Sequence, residues 1–501
     1  MKKRSKALAS LVAASLVIAA CGGDDDDSSS SGDDTSSEAT TAPADDTASE
    51  TTMADDTSSE TTMADDTSSE TTMADDSSGP AAEAVTDFGV DAENKVIRVG
   101  INGDLSGPFA SLVSEVVAAQ EVYWDVFNEA GGYGGWTVEV TTLDSGYATD
   151  VGIQNYQQLA DEGDGGVLMI TENTGSPITA AVEPDAVDDN MLLIPLSWAS
   201  LWPDPEEGLA VLEKQTTYCN EAVNAVEWLK GYVEEQGLDP KLAIVSRPGE
   251  YGEDGAAGAK IAADELGIEI VYDGTSAVAG DDRTAVISEL VNSGATIVWL
   301  TLTPGETLDI FGNAVSQGME AYWSGSSPSF DYKVHLGSDF AEQFDQWYFP
   351  SSYQAPWATP GIPAMETIVS EMTARRPDLL ISDVYTLGWI EGMMAEAIFR
   401  KAIDDGDLTR AHVFEIPQDP SFSVDFGGLA APQSWPAVYD DALVRSSWIY
   451  DADATAFNVI PLSDYTPENP GSSGMIPIEQ DYVGSVAQSY EYGGPCIEPS
   501  S

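Results

Sequence analysis

A chain of 501 residues with 86 acidic and only 19 basic side chains, a net charge of −67 and a pI near 4.1, is repelled by nucleic acids and anionic surfaces. Three cysteines and two histidines, His335 and His412, are too few and too far apart for a zinc site. No Gly-x-Ser-x-Gly elbow, phosphate-binding Gly-Lys-Ser loop or dinucleotide Gly-x-Gly-x-x-Gly follows a strand pattern, so neither an enzyme nor a cofactor is expected.

In chain order, Lys2, Lys3, Arg4 and Lys6 precede an apolar run from Ala7 to Ala20 that is too short to span a bilayer. Residues 1–20 therefore read as a signal peptide. The run ends in Ile18-Ala19-Ala20-Cys21-Gly22, which resembles the lipobox of bacterial lipoproteins, with Ile18 where Leu is commoner. That resemblance implies lipidation at Cys21 and a mature chain held on the bacterial cell membrane. An ordinary cleavage site beside an incidental cysteine is the alternative.

Residues 21–92 are expected to form an acidic tether. From Gly22 to Pro80 the chain holds almost nothing large, and the decamer Ser-Glu-Thr-Thr-Met-Ala-Asp-Asp-Thr-Ser recurs at Ser49, Ser59 and, with one change, Ser69. Such a segment buries too little apolar surface to offset chain entropy, and its like charges repel. Eighteen of the 86 acidic residues lie in that stretch, leaving 68 against 19 basic ones elsewhere. The remainder is thus itself strongly acidic, which suits either a salty milieu or cationic ligands.

From Lys95 onward short β-branched runs alternate with helical stretches, the pattern of βαβ units and a largely parallel sheet. Strands are predicted at 96–101, 136–143, 167–171 and 192–196, with a helix over 110–130 stopped by Gly131-Gly132. A second set follows Cys219: a helix carrying Ala222, Ala225, Val226, Leu229, Tyr232 and Val233, then strands at 242–246, 268–272, 296–301 and near Ala321. Its helix over 252–266 ends at Gly267, a C-cap position. Two further helices are predicted at 363–373 and 381–403; after Gly406 helical periodicity is lost, with a strand-like piece at 448–450. Acidic clusters such as Asp161, Asp164 and Asp281-Asp282 read as solvated loops. In an exported protein Cys219 and Cys496 suggest one disulfide pinning the C-terminal tail, two free buried thiols being the alternative.

Four signposts carry a resemblance: Gly103-Asp104-Leu105-Ser106-Gly107-Pro108 after the first strand, Asn128-Glu129-Ala130-Gly131-Gly132 closing the first helix, Asp144 after the second strand, and Glu250-Tyr251-Gly252-Glu253 opening a later helix. In this order the chain resembles the type I periplasmic binding proteins of the branched-chain amino acid, amide and urea group, which feed ABC importers. The resemblance implies an α/β fold of two Rossmann-like lobes joined by three crossovers. Residues 95–212 and 356–443 would form lobe I, and 213–355 and 444–498 lobe II.

It also implies a ligand cleft where both sheets end, with loop hydroxyls and helix N-terminal amides as contacts. Carried over, these are Ser106 and Gly107; Asn173, Thr174 and Ser176; Ser197, Trp198 and Ala199; Tyr251, which would stack on the ligand; and Thr301, Thr303 and Ser326. The alternative for Ser106 and Ser176 is a plain helix N-cap, and for Tyr251 and Trp198 a place in the lobe core or on the surface. The loop Gly325-Ser326-Ser327-Pro328-Ser329 lacks the carboxylate with which amino-acid binders of this group hold an α-ammonium, so Glu172 or Asp331 would have to substitute. The expected function is an extracytoplasmic lipoprotein that hands a small polar solute, an amino acid, amide or related molecule, to an ABC permease. A neutral amide-like or aromatic solute would suit the surplus of Trp and Tyr. A ligand sensor of the same fold signalling to a membrane receptor is the alternative.

Overall fold

The structure, a computed structural model, describes residues 84–498 except Asp164, Asp281 and Tyr353. The signal segment, Cys21 and the acidic repeats lie outside the described residues. Among the described residues no helix is long and apolar enough to cross a membrane.

The first sheet is built from β1 (Val96–Gly103), β2 (Thr137–Asp144), β3 (Met169–Thr174) and β4 (Leu193–Leu196), all parallel, in the order β2-β1-β3-β4. A short antiparallel strand, Val90–Asp91, pairs with the start of β1. β3 and β4 are buried at every position, as strands covered on both faces must be. α1 (Ala110–Glu129), α2 (Thr149–Leu159) and α3 (Ser176–Asp188) return the chain between them.

After β4 the chain crosses to α4 (Tyr218–Glu235) and a second parallel sheet. Its strands are β5 (Lys241–Ser246), β6 (Glu269–Gly274), β7 (Ile297–Thr301) and β8 (Tyr322–Gly325), in the order β6-β5-β7-β8. That is the same second-first-third-fourth order as the first sheet. The returning helices are α5 (Glu250–Leu266), α6 (Thr284–Asn292) and α7 (Pro304–Ser316). Gly267 closes α5 in the left-handed conformation, with φ 66°.

The chain then returns to the first lobe as α8 (Pro363–Arg375) and α9 (Tyr385–Asp405), whose Met365, Ile368, Ile390, Met394 and Ile398 join the first core. A third passage leads to β9 (Ser447–Ala452) and β10 (Met475–Tyr482), which with Ser351–Ser352 make a small antiparallel sheet. The segment between β9 and β10 turns back once more. Leu462 is buried in the first core and Leu380 bridges Pro461, so the sequence boundary that gives 444–498 wholly to lobe II needs that exception. With Val459, Ile460 and Tyr465 packing beside Leu462, this turn-rich stretch meets the first core through a few side chains that follow no helix or strand periodicity.

Cys219, in the first turn of α4, and Cys496 are joined by a disulfide. Around it Asp254 accepts hydrogen bonds from the amides of Cys219 (2.9 Å) and Ser200 (3.1 Å), and Ser200 Oγ accepts from the Cys496 amide (2.7 Å). The tail is thereby tied to both α5 and the first crossover.

α1 and α9 approach closely because Gly388 has no side chain: a Cβ there would stand 2.0 Å from the Val116 carbonyl oxygen and 2.9 Å from the Gln120 amide nitrogen. Both atoms are backbone and cannot swing aside. Gly388→Ala is expected to force the helices apart and destabilise the protein by about 1–3 kcal/mol, read as a lower midpoint in urea unfolding.

Candidate ligand-binding site

Parallel strands all end at one edge of their sheet, and in this chain the two carboxyl edges face each other. From the first lobe come Phe109, Leu112, Val113 and Val116 at the start of α1, Thr174 and Gly175 after β3, and Leu196 and Trp198 after β4. From the second come Tyr251 on the first turn of α5 and Ser327, Pro328 and Phe330 after β8. The crossovers add Gln215, Tyr218, Ser351, Ser352 and Gln354, the entry to α9 adds Asp383, Val384 and Leu387, and β10 adds Met475. With Tyr147 and Tyr332 they line a cavity of about 90 Å³ between the two sheets.

The wall is mostly apolar and ringed by aromatics. Phe109 and Tyr147 lie 4.9 Å apart between ring centroids, Tyr218 and Tyr251 4.8 Å, and Trp198 and Tyr218 5.7 Å. Phe109 meets Tyr251 edge-on at 5.8 Å, a contact between the lobes. Tyr251 is held from behind: its hydroxyl donates to the Leu302 carbonyl at 2.7 Å and lies 2.9 Å from Ser326 Oγ. Rings fixed in this way offer flat apolar area without losing side-chain entropy on binding.

Of the residues expected at the site, Thr174, Trp198 and Tyr251 line the cavity; the others do not. Ser106 is exposed, and the Gly107 amide donates to Asp104 Oδ1 at 2.6 Å, so the first loop is folded onto its own carboxylate. Asn173 donates to Thr179 Oγ1 (2.8 Å) and accepts from Asn102 (2.9 Å). The Ser176 and Ser197 hydroxyls face each other at 2.7 Å, and Ala199 is core. Thr301 accepts from the Trp299 indole at 3.1 Å, Thr303 closes a capping box with Glu306 at the start of α7, and Ser326 supports Tyr251. Glu172 accepts from the Thr174 hydroxyl behind the wall, and Asp331 caps a short helix through the Lys333 amide at 2.9 Å. Neither carboxylate lines the cavity.

Sequence reasoning missed Tyr147, Gln215, Tyr218, Phe330, Asp383 and Leu387. The carboxylate has a simple reason: the helix was expected from residue 381, which hides Asp383 inside it, whereas α9 begins at Tyr385 and leaves Asp383 in the preceding turn.

Buried charge surrounds the apolar wall. Lys214 and Glu391, both buried, pair at 3.0 Å, and the ammonium stands 5.7 Å from the Trp198 ring. Glu221 accepts from the Ser327 amide (3.0 Å) and the Ser351 hydroxyl (3.1 Å), so it holds two stretches of wall together. Burial pushes the Glu221 carboxyl up to about 8 despite those two donors. It does the same to Glu213, to about 8, with Lys214 opposing, and raises Asp254 to about 7.

With this geometry in view, the comparisons with known proteins are decisive. The sequence profile of the periplasmic binding proteins matches residues 96–430, which is more than half of the chain. The chain belongs to the periplasmic binding protein family. It is a binding protein and not an enzyme. A Leu/Ile/Val-binding protein homolog 3 of Brucella melitensis is 27% identical over 206 residues, 40% of this chain and 53% of that one, so the match spans about half the relative's length. Among solved structures, the fold is similar to a fatty acid ABC transporter substrate-binding protein from Thermomonospora curvata, with a TM-score of 0.69 and 24% identity over 81% of this chain and 97% of that one. It is also similar to a branched-chain amino acid ABC transporter protein from Thermus thermophilus with bound valine, with TM-score 0.64 and 17% identity over 80% and 100% of the two chains. A Rhodopseudomonas palustris solute-binding protein in complex with 3,4-dihydroxybenzoic acid gives a TM-score of 0.58 at 15% identity, covering 71% and 93%.

The buried carboxyls give this periplasmic binding protein a distinctive pH response. A carboxyl raised by burial binds its proton more tightly in the folded chain than in the unfolded one. Its contribution to stability is complete below its ordinary value near 4 and is lost as pH rises through 7 to 8. The melting temperature is therefore expected to fall between pH 5 and pH 8, and Glu221→Gln to make that fall shallower, as calorimetry across the range would show.

Proposed function

We propose that this protein is the extracytoplasmic substrate-binding component of an ABC importer, lipid-anchored through Cys21, and that it captures a small molecule with a largely apolar body. The cavity carries the reading: aromatic and aliphatic side chains of both lobes face one enclosed space between the carboxyl ends of two parallel sheets. The ABC transporter proteins of similar fold support the importer assignment. The apolar wall moves the ligand away from the small polar solute expected from the sequence and toward the aromatic alternative.

Capture works through differential contact. Ligand in the cavity touches both lobes at once, so it stabilises the closed arrangement over one in which they part. The Phe109–Tyr251 contact and the Lys333–Glu115 ion pair hold the lobes together across the cleft. A permease would then read the closed form.

Thermal-shift measurements on the full chain test this. Small aromatic compounds are expected to raise the melting temperature saturably, the underlying stabilisation reaching about 2.7 kcal/mol at a hundredfold excess over Kd. Leu112→Trp, which brings an indole to a half-buried position on the cavity wall, is expected to abolish the shift. A response to urea or alanine alone, with none to aromatic compounds, would count against an apolar ligand.

A further inference from the structure

The charge of the ligand is legible in the same cavity, and the inference rests on the solute-binding reading above. Among the residues that line it, Asp383 carries the one carboxyl, and none is a lysine, arginine or histidine. Asp383 is nearly fully buried; one carboxylate oxygen accepts from the Trp357 amide at 2.6 Å, and its own amide donates to the Tyr332 hydroxyl at 3.3 Å. The cations nearest the cavity are already engaged: Lys333 with Glu115, Lys214 with Glu391, and Arg247 with Glu306. A second carboxyl, Glu221, lies one hydrogen bond behind the wall at Ser327 and Ser351.

A ligand carboxylate would meet a wall whose neighbouring ammonium groups, Lys333 and Lys214, are already paired, with Asp383 opposing it, which is unfavourable when buried. An ammonium meets the reverse. Asp383 supplies the missing counter-charge, and the faces of the surrounding rings attract a desolvated cation. The acidity of the whole chain draws cations toward the mouth. We infer that the ligand is an amine, one ammonium group on an apolar or aromatic body without a carboxylate, and that Asp383 is the residue that selects it.

The protonation of Asp383 then gates binding. Burial pushes its carboxyl up to about 6, against the Trp357 amide, Ser473 and Lys333, which lower it, and with Asp331, which raises it further. Glu115 reaches this corner through Ser382, and Tyr332 and Tyr450 are the other titratable groups near it. Below pH 6 Asp383 takes up a proton and its attraction for an ammonium is lost.

Titration calorimetry of the full chain at pH 7.5 with four matched probes, 2-phenylethylamine, phenylacetamide, phenylacetate and phenylalanine, tests the assignment. The amine is expected to bind at least tenfold more tightly than the amide, and both more tightly than phenylacetate and phenylalanine. Its affinity is expected to fall as pH is lowered through 6. Asp383→Asn should bring the amine down to the level of the amide, and Asp383→Glu should keep part of the preference, with circular dichroism melts reporting that both variants fold. Phenylacetate binding as tightly as the amine, or an undiminished amine preference in Asp383→Asn, would overturn the charge assignment. If the amide or phenylacetate still bound and Leu112→Trp removed that binding, solute capture would stand and the amine alone would fall. If none of the four bound to folded protein, both readings would fall together.

Discussion

A parallel sheet cannot leave either face to water, and every other feature of this protein follows from that constraint. Each strand must be returned to the same end of the sheet by a helix packed on one face, so all carboxyl ends, with their loops and helix N-termini, collect at one edge. Two such sheets with the same strand order are present, and their carboxyl edges face each other. The space between them becomes a cavity that both lobes line, and the two lobes can only fill it jointly.

The polar and apolar residues near that space divide the work. Serine, threonine and asparagine side chains at the strand ends are largely spent on the scaffold: Ser176 on Ser197, Asn173 on Thr179, and Thr303 on the first turn of α7. Those bonds hold the loops in which Tyr147, Trp198 and Tyr251 present their rings. Aromatic side chains, with few rotamers and large area, then form the wall itself. Behind it sit carboxyls that burial keeps protonated far above their ordinary range, Glu213 and Glu221 among them. Glu221 joins separate segments through its hydrogen bonds, Glu213 braces the amides of Lys214 and Gln215, and both contribute little charge at neutral pH, which leaves Asp383 as the electrostatically distinct group on the wall.

Much of the fold was legible because it is written in local periodicity. The strand runs around Val99, Val140, Ile170 and Ile194 and the helical faces of α1 and α4 are each continuous in sequence, and the expected elements match the observed ones to within a few residues. Helices α2, α3, α6 and α7 were not picked out individually; α3, for instance, carries an internal Pro184 and an apolar face too weak to stand out. Of the residues expected to contact ligand, those that line the cavity lie at the end of a strand or in the loop or first helical turn after one, as Thr174, Trp198 and Tyr251 do. Gln215 and Asp383 belong to a crossover and a turn, whose sequences have no period that says which way a side chain points, and Tyr218 is the first residue of α4.

The sequence by itself determined the class of the protein, through βα alternation with glycine-rich turns after the strands. Those properties depend on residues close together in the chain, where spacing alone carries the physics. Only the tertiary structure decided the character of the cavity. Whether a hydroxyl faces the cavity or a neighbouring loop, and which groups surround Asp383, depends on residues far apart in the chain being brought within a few ångströms. Local sequence carries no term for that proximity.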